Sequence, residues 1–209
     1  MGAEYINPQW RLPNYKTGNN QDYSMSFDGS EAIEVPLTVD GLSSVTVSVW
    51  FKTSTSQNNK YFLSFPRTAT NNGFDINFTT SEIRSFLSSG SSFNTLSSTF
   101  TYADGNWHHV VVSYDGTSHK MYIDKVLTAS NSASGTINNT TGMFIIGAFN
   151  VSGSSPVAGI NAQLNQVSIF DYALSQDQVD YLYDLNNPMA LSSPPIAYYP
   201  LGNSAHMGP

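Results

Sequence analysis

The sequence predicts an all-β fold: a two-sheet antiparallel β-sandwich of jelly-roll type with one short C-terminal helix. Three observations carry this expectation. Apolar residues recur at every second position through several stretches, the period of a strand with one buried face. Runs rich in Gly, Ser and Asn interrupt those stretches at short intervals, as they do in sandwiches and jelly rolls. A single helix-start signature stands near the C-terminus. The 209 residues fit one large domain, and sandwiches of this size are often undivided.

Taken in order, "SSVTVSVWFKTS" sends Val45, Val47, Val49 and Phe51 to one face and Thr46, Ser48, Trp50 and Lys52 to the other. "GFDINFTT" places Phe74, Ile76 and Phe78 together. The unbroken apolar run in "TGMFIIGAF" predicts a strand covered on both sides. "AQLNQVSIFDYAL" aligns Leu164, Val167 and Ile169 less strictly. Between these lie the turn-forming runs "STSQNNK", "SSGSSFN", "NSASGTINNTTG" and "NVSGSSP".

The helix is read from "ALSQDQVDYLYDLNNP". Ser175 is the N-cap, Gln178 completes a capping box, and Leu174 and Val179 sit where a hydrophobic staple would. Val179, Leu182 and Tyr183 form its apolar stripe, Asp177 suits the positive end, and Asn186-Asn187-Pro188 stops it. It is expected as a short surface helix pinning the end of the sandwich.

"NWHHVVVSYDGTSHKMYIDKV" holds three of the four histidines. Asp115-Gly116 marks a hairpin turn, with "MYIDKV" returning as the partner strand. Val110, Val112 and Tyr114 share one face; Trp107, His109, Val111 and Ser113 share the other. Adjacent His108 and His109 point oppositely in a strand and cannot converge on one zinc ion. The histidines are expected to be structural, one half-buried beside Trp107 and the others solvated.

Composition narrows the function. Only 11% of residues are charged and the net charge is −7, which excludes nucleic acid and an anionic membrane surface as partners, since both need a basic footprint. Cysteine is absent, removing disulfides, thiolate zinc sites and Cys nucleophiles. No apolar run of about 18 residues predicts a membrane span. No secretory signal is visible in "MGAEYINPQWRLPNYKTG", and Ile6 breaks the myristoylation pattern. Export is therefore expected by another route, such as virion assembly followed by host lysis.

Four blocks, in order over about residues 23–185, resemble laminin-G-like, concanavalin A-like lectin/glucanase jelly rolls. "YSMSFDGSEAIEVP" resembles the opening L-x-F-D-G-x-x-D-Y-V-x-V-P, and "SSVTVSVWFKTS" resembles F-T-I-S-x-W-V-K. "WHHVVVSYDG" with "MYIDK" resembles W-x-H-V-A-x-T-Y-D-G with L-Y-V-D-G. "AGINAQLNQVSIFDYALSQDQVDYLY" resembles F-x-G-x-I-D-E-V-x-I-Y-N-R-A-L-S-x-x-E-I-x-x-L-Y. The chain departs at Leu164-Asn165-Gln166-Val167, where the family has I-D-E-V. A strand that opens many relatives stands here at the C-terminus, in "PPIAYYPLGNSA". The expected layout is an N-terminal extension (1–22) packing on the sandwich, the jelly roll (23–187), and a C-terminal strand or linker (188–209). That last segment either folds back into its own sheet or opens a following repeat. The pattern is also similar to tandem modules of phage and large-virus structural proteins.

Catalytic strings are missing. Glucanases of this fold carry E-x-D-x-x-E, whose carboxylates lie roughly 5 Å apart when retaining; Glu31/Glu34 would point to opposite faces of a strand, and Asp177/Asp180 lie on a helix face. No G-x-S-x-G elbow or phosphate loop occurs. The resemblance implies Ca²⁺ as the only cofactor, with Asp28 at the F-D-G position, Glu31 nearby and Asn165 as a replacement ligand, carboxylate and amide oxygens being suited to a hard cation. The other reading of Asp28-Gly29 is a turn in which the carboxylate caps backbone amides. The resemblance also implies glycan binding, with Trp50, His109 and Tyr122 as a concave platform; the competing reading packs Trp50 beneath the helix or a loop. Sequons at Asn77, Asn138, Asn139 and Asn150 matter only in a eukaryotic secretory pathway.

The function expected is a non-enzymatic binding or adhesion module on a virion surface or extracellular structural protein. Its partner would be a glycan or a neighbouring structural protein, as a homo-oligomer or a tandem array. The alternatives are a structural spacer or decoration module without a ligand and, third, a degenerate glycoside hydrolase.

Overall fold

The computed structural model describes residues 24–65, 73–89, 92–99, 101–137, 143–149 and 155–201. Two antiparallel sheets face each other. The first contains β1 (Met25–Asp28), β3 (Val45–Lys52), β8 (Trp107–Tyr114), β9 (Ser118–Ile123), β10 (Val126–Ser132) and β12 (Asn161–Phe170), in the order β1-β12-β3-β8-β9-β10. The second contains β2 (Ile33–Val35), β4 (Lys60–Ser64), β5 (Phe74–Phe78), β6 (Glu82–Ser89), β7 (Ser92–Thr99) and β11 (Phe144–Ile146), in the order β2-β11-β4-β5-β6-β7.

The core follows from strand alternation. Val47, Val49, Phe51, Val110, Val112 and Tyr114 enter from the first sheet; Phe74, Ile76, Phe78, Ile83 and Leu87 meet them from the second. Each such side chain contributes roughly 1.5–3 kcal/mol when fully buried, so the interior holds the sandwich without disulfides. In β12 the pairing with β3 shifts register between Asn165 and Ser168, and Gln166 adopts φ +50°. This bulge puts Leu164 and Val167, three residues apart, on the same inner face. That explains the imperfect alternation of "AQLNQVSIF". β11 lies between β2 and β4 with Phe144, Ile145 and Ile146 all buried, as its continuous apolar run predicts.

β8 and β9 form the predicted hairpin. Asp115 Oδ1 accepts from Thr117 N, Thr117 Oγ1 and Ser118 N, and Gly116 supplies φ +90°. The return strand ends earlier than "MYIDKV" suggests: Asp124 and Lys125 turn at φ +48° and +62°, and β10 follows.

The helix α1 (Gln176–Tyr183) has the predicted reciprocal capping box between Ser175 and Gln178. Its location differs from expectation. Val179 and Leu182 pack with Leu174 on Val111, Tyr122 and Phe170. The helix thus covers the outer face of the first sheet, because that face offers apolar side chains the stripe can bury. After a 3₁₀ turn (Pro188–Ala190), β13 (Ala197–Tyr199) pairs with Val167–Ile169 of β12, on the edge that β1 uses at residues 161–164. The C-terminal strand therefore joins this domain's own sheet. The N-terminal extension (1–22) and residues 202–205 of the C-terminal run lie outside the described residues. Among the described residues no helix is long and apolar enough to cross a membrane.

Candidate ligand-binding face

The outer face of the second sheet is built by the same alternation that fills the core. With Phe74, Ile76 and Phe78 turned inward, Asp75 and Asn77 must face outward. With Ile83 and Leu87 inward, Arg84 and Phe86 face outward on β6. Strand register then sets two rows across the sheet. One runs Tyr61, Asn77, Arg84, Ser97; the other runs Ser64, Asp75, Phe86, Thr95. Between them is an open groove of about 220 Å³, also lined by Asn59.

The groove floor is polar and its walls are aromatic. Asp75 is 1% exposed and Asn77 7%. Asn77 Oδ1 is buried without a hydrogen-bond partner among the described residues. Arg84 Nε donates to Glu82 Oε2 at 3.0 Å, and Ser97 Oγ donates to the same oxygen at 3.3 Å. This fixes the guanidinium stem beside the groove. Tyr61 stacks on Phe149 with ring centroids 4.6 Å apart, and Phe86 meets Phe93 edge-on at 4.2 Å. Aromatic faces beside a planar amide and a carboxylate suit a ring that carries both C–H faces and hydroxyls. Asp75 is the one carboxylate among the groove's lining residues, whereas glycosidases use a pair.

Trp50, His109 and Tyr122, expected as a concave platform, all lie on the outer face of the first sheet, but beneath the helix. Trp50 pairs with His109 across β3 and β8, their rings stack at 4.9 Å and 18°, and Tyr183 of α1 stacks on Trp50 at 5.5 Å. The three are only 5%, 1% and 6% exposed. They present no face to solvent, because α1 occupies it.

The histidine expectation is corrected in the same way: all three of the hairpin's histidines are buried. His109 Nε2 lies 2.7 Å from Ser48 Oγ, and burial pushes its pKa down to about 3. His119 donates from Nδ1 to Asn94 Oδ1 at 2.9 Å and faces Ser85 Oγ through Nε2 at 3.1 Å; burial again lowers its pKa to about 3. His108 lies between Asp124 (Nδ1, 2.8 Å) and Asp104 (Nε2, 3.1 Å).

Asp28, Glu31 and Asn165 do not make one calcium site. Asp28 Oδ1 accepts from Ser30 N at 3.0 Å and Ser30 Oγ at 2.6 Å, and Glu31 Oε2 accepts from Asp28 N at 2.7 Å. Both carboxylates thus tie the turn after β1. The Ser30 hydroxyl and amide, with Glu31, hold the Asp28 pKa below its ordinary value. Asp28 pairs with Asn161, which leaves Asn165 four residues along β12, roughly 13 Å away at strand rise. Asn165 is also buried, opposite Trp50. Among the described residues no three His, Cys, Asp or Glu side chains are placed to hold a metal ion.

Two antiparallel sheets packed face to face, with a helix over the outer face of the first and a polar and aromatic groove on the outer face of the second, define a β-sandwich of the lectin-like class. Residues 27–180 match the family model of the concanavalin A-like lectin/glucanases superfamily, and the chain belongs to that superfamily. No curated protein matches it. Among solved structures it is similar to the native heptameric SAP-like pentraxin of Limulus polyphemus (TM-score 0.64, 16% identity, 88% of this chain and 94% of that one). It is similar to a candidate carbohydrate-binding protein of Bacteroides ovatus (0.63, 16%, 88% and 53%). A third is the CBM40 of the Ruminococcus gnavus IT-sialidase (0.57, 16%, 77% and 95%). At these identities the likeness is one of fold.

Sequence reasoning missed the groove on the second sheet. The signal was present: in "GFDINFTT" the inward Phe74, Ile76 and Phe78 imply outward Asp75 and Asn77, and "EIRSFLSS" does the same for Arg84 and Phe86. Nothing in either segment says which sheet the helix covers.

Proposed function

We propose that the chain is a non-catalytic recognition module that binds carbohydrate on the outer face of its second sheet, in a virion-surface or extracellular setting. The observation that carries this reading is Asn77, a buried amide whose oxygen has no partner among the described residues and which lines a groove walled by aromatic rings. Leaving such an atom unpaired costs about 1–3 kcal/mol, and a ligand hydroxyl that reaches it as the groove side chains shift would remove that cost. That Asp75 is the single carboxylate among the groove's lining residues supports binding without hydrolysis. The descriptions of the Bacteroides and Ruminococcus neighbours support a sugar as the ligand. The setting rests on the motif resemblance and the low charge content.

A glycan array followed by calorimetry on the strongest hit tests the reading. Asn77→Ala is expected to weaken binding at least about tenfold while the thermal midpoint stays level or rises, since an unpaired buried amide is removed. A silent array with persistent self-association would replace the lectin with a structural spacer. Unchanged affinity in Asn77→Ala would move the site elsewhere.

A further inference from the structure

We propose that Phe93 forms a second sugar subsite, so that the face takes a chain of several saccharide units and not a single terminal one. This rests on the reading of the Asn77 groove as a carbohydrate site. Phe93 is 48% exposed, on a strand whose other outward residues are Thr95, Ser97 and Thr99. A large ring on the solvent side of an otherwise hydroxyl-bearing edge strand gains little from folding, because about half its surface stays in water.

Its placement is continuous with the groove. Phe86 lines the groove and holds Phe93 edge-on at 4.2 Å, which fixes the Phe93 ring without covering it. Thr95, two residues along β7, lines the groove as well. Tyr61 stands at the opposite corner. Three strand spacings separate β4 from β7, and four residues separate Arg84, in the Tyr61 row, from Ser88, opposite Phe93. By strand geometry the diagonal is roughly 19 Å, several times the width of one sugar ring. The path runs from an aromatic stack, over a polar floor, to a second aromatic surface. Such a sequence fits a glycan chain that alternately offers C–H faces and hydroxyl pairs. It fits a flat protein partner poorly, since the polar floor is recessed in a groove.

Length-graded ligands decide the matter. Calorimetry would use oligosaccharides of one to six units from whichever glycan series the array identifies. Wild-type affinity is expected to rise with length until the diagonal is filled. Phe93→Ala is expected to weaken the longest ligand about tenfold and leave the monosaccharide unchanged, while Phe93→Tyr restores the gain. Asn77→Ala should weaken every length. Equal loss at all lengths, or none, in Phe93→Ala would overturn the second subsite and leave the groove standing. If no saccharide binds, the groove reading fails and the subsite with it. Phe93 is exposed, so the variant should fold; an unchanged thermal midpoint checks this.

Discussion

Asn94 and Asn131 tie the two sheets together at one edge of the sandwich by a reciprocal exchange. Asn94 Nδ2 donates to the carbonyl of Ser132 on β10, and Asn131 Nδ2 donates to the carbonyl of Thr95 on β7, each at 2.8 Å. β7 and β10 end their respective sheets, where unpaired backbone groups would otherwise recruit other chains. Asn94 carries a second duty, accepting from the buried His119. Asn94→Ala is therefore expected to cost roughly 2–3 kcal/mol and Asn131→Ala about 1 kcal/mol, read from urea midpoints. The double variant should also associate more readily in light scattering. Equal costs for the two single variants would show that the His119 contact contributes nothing.

Stability is expected to peak near neutral pH. His109 and His119 have folded pKa values near 3, well below the ordinary imidazole value of about 6.5. The unfolded chain takes up protons first, so stability falls as pH drops below that value. For His108, burial alone would lower the pKa, but hydrogen bonds to Asp124 and Asp104 and their charges outweigh it and leave it raised. Its contribution is complete below the unfolded pKa and is lost as pH rises through the folded one. Thermal midpoints across pH 4 to 9 test this. His108→Gln should flatten the alkaline limb and leave the acid limb intact; a wild-type midpoint constant across the range would refute the scheme.

Trp50→Ala separates structure from binding. The indole fills the space between His109 and Tyr183 of the helix, so its loss is expected to cost about 3–5 kcal/mol. Glycan affinity of the folded protein should stay within twofold, because the groove belongs to the other sheet. A binding loss without a stability loss would return the site to Trp50.

Asp28→Ala tests the turn against a metal site. Since Asp28 and Glu31 hold backbone and hydroxyl donors of their own loop, the thermal midpoint should fall equally in EDTA and in millimolar Ca²⁺. A calcium-dependent rise in the wild type that vanishes in the variant would make Asp28 a ligand, by the linkage between binding and stability.

Period-two alternation, the Asp115-Gly116 turn and the Ser175/Gln178 capping box were legible in single segments, because each depends on residues no more than a few positions apart. They determined β3, β5, β8, β9, β11 and β12, the hairpin, the inward set from Val47 to Ile169, and the helix. β4, β6, β7 and β10 were set by pairing. Most of "SSGSSFN", expected as a turn, belongs to the ends of β6 and β7, because those strands pair as far as Ser89 and Ser92. Tertiary structure decided what local pattern cannot express. The apolar stripe of α1 had two sheet faces to choose between, and it buried the one bearing Val111, Tyr122 and Phe170. That choice sealed Trp50, His109 and Tyr122 beneath the helix and left Asp75, Asn77, Arg84 and Phe93 on the outer face of the other sheet. The histidines follow the same logic: alternation fixed which way each pointed, but burial came from β7 and α1, both distant in sequence, and from the loop carrying Asp104, whose fold over His108 the alternation does not state. A strand's period states that it has two faces. Only long-range packing, which minimises exposed apolar surface over the whole chain, assigns one of them to water.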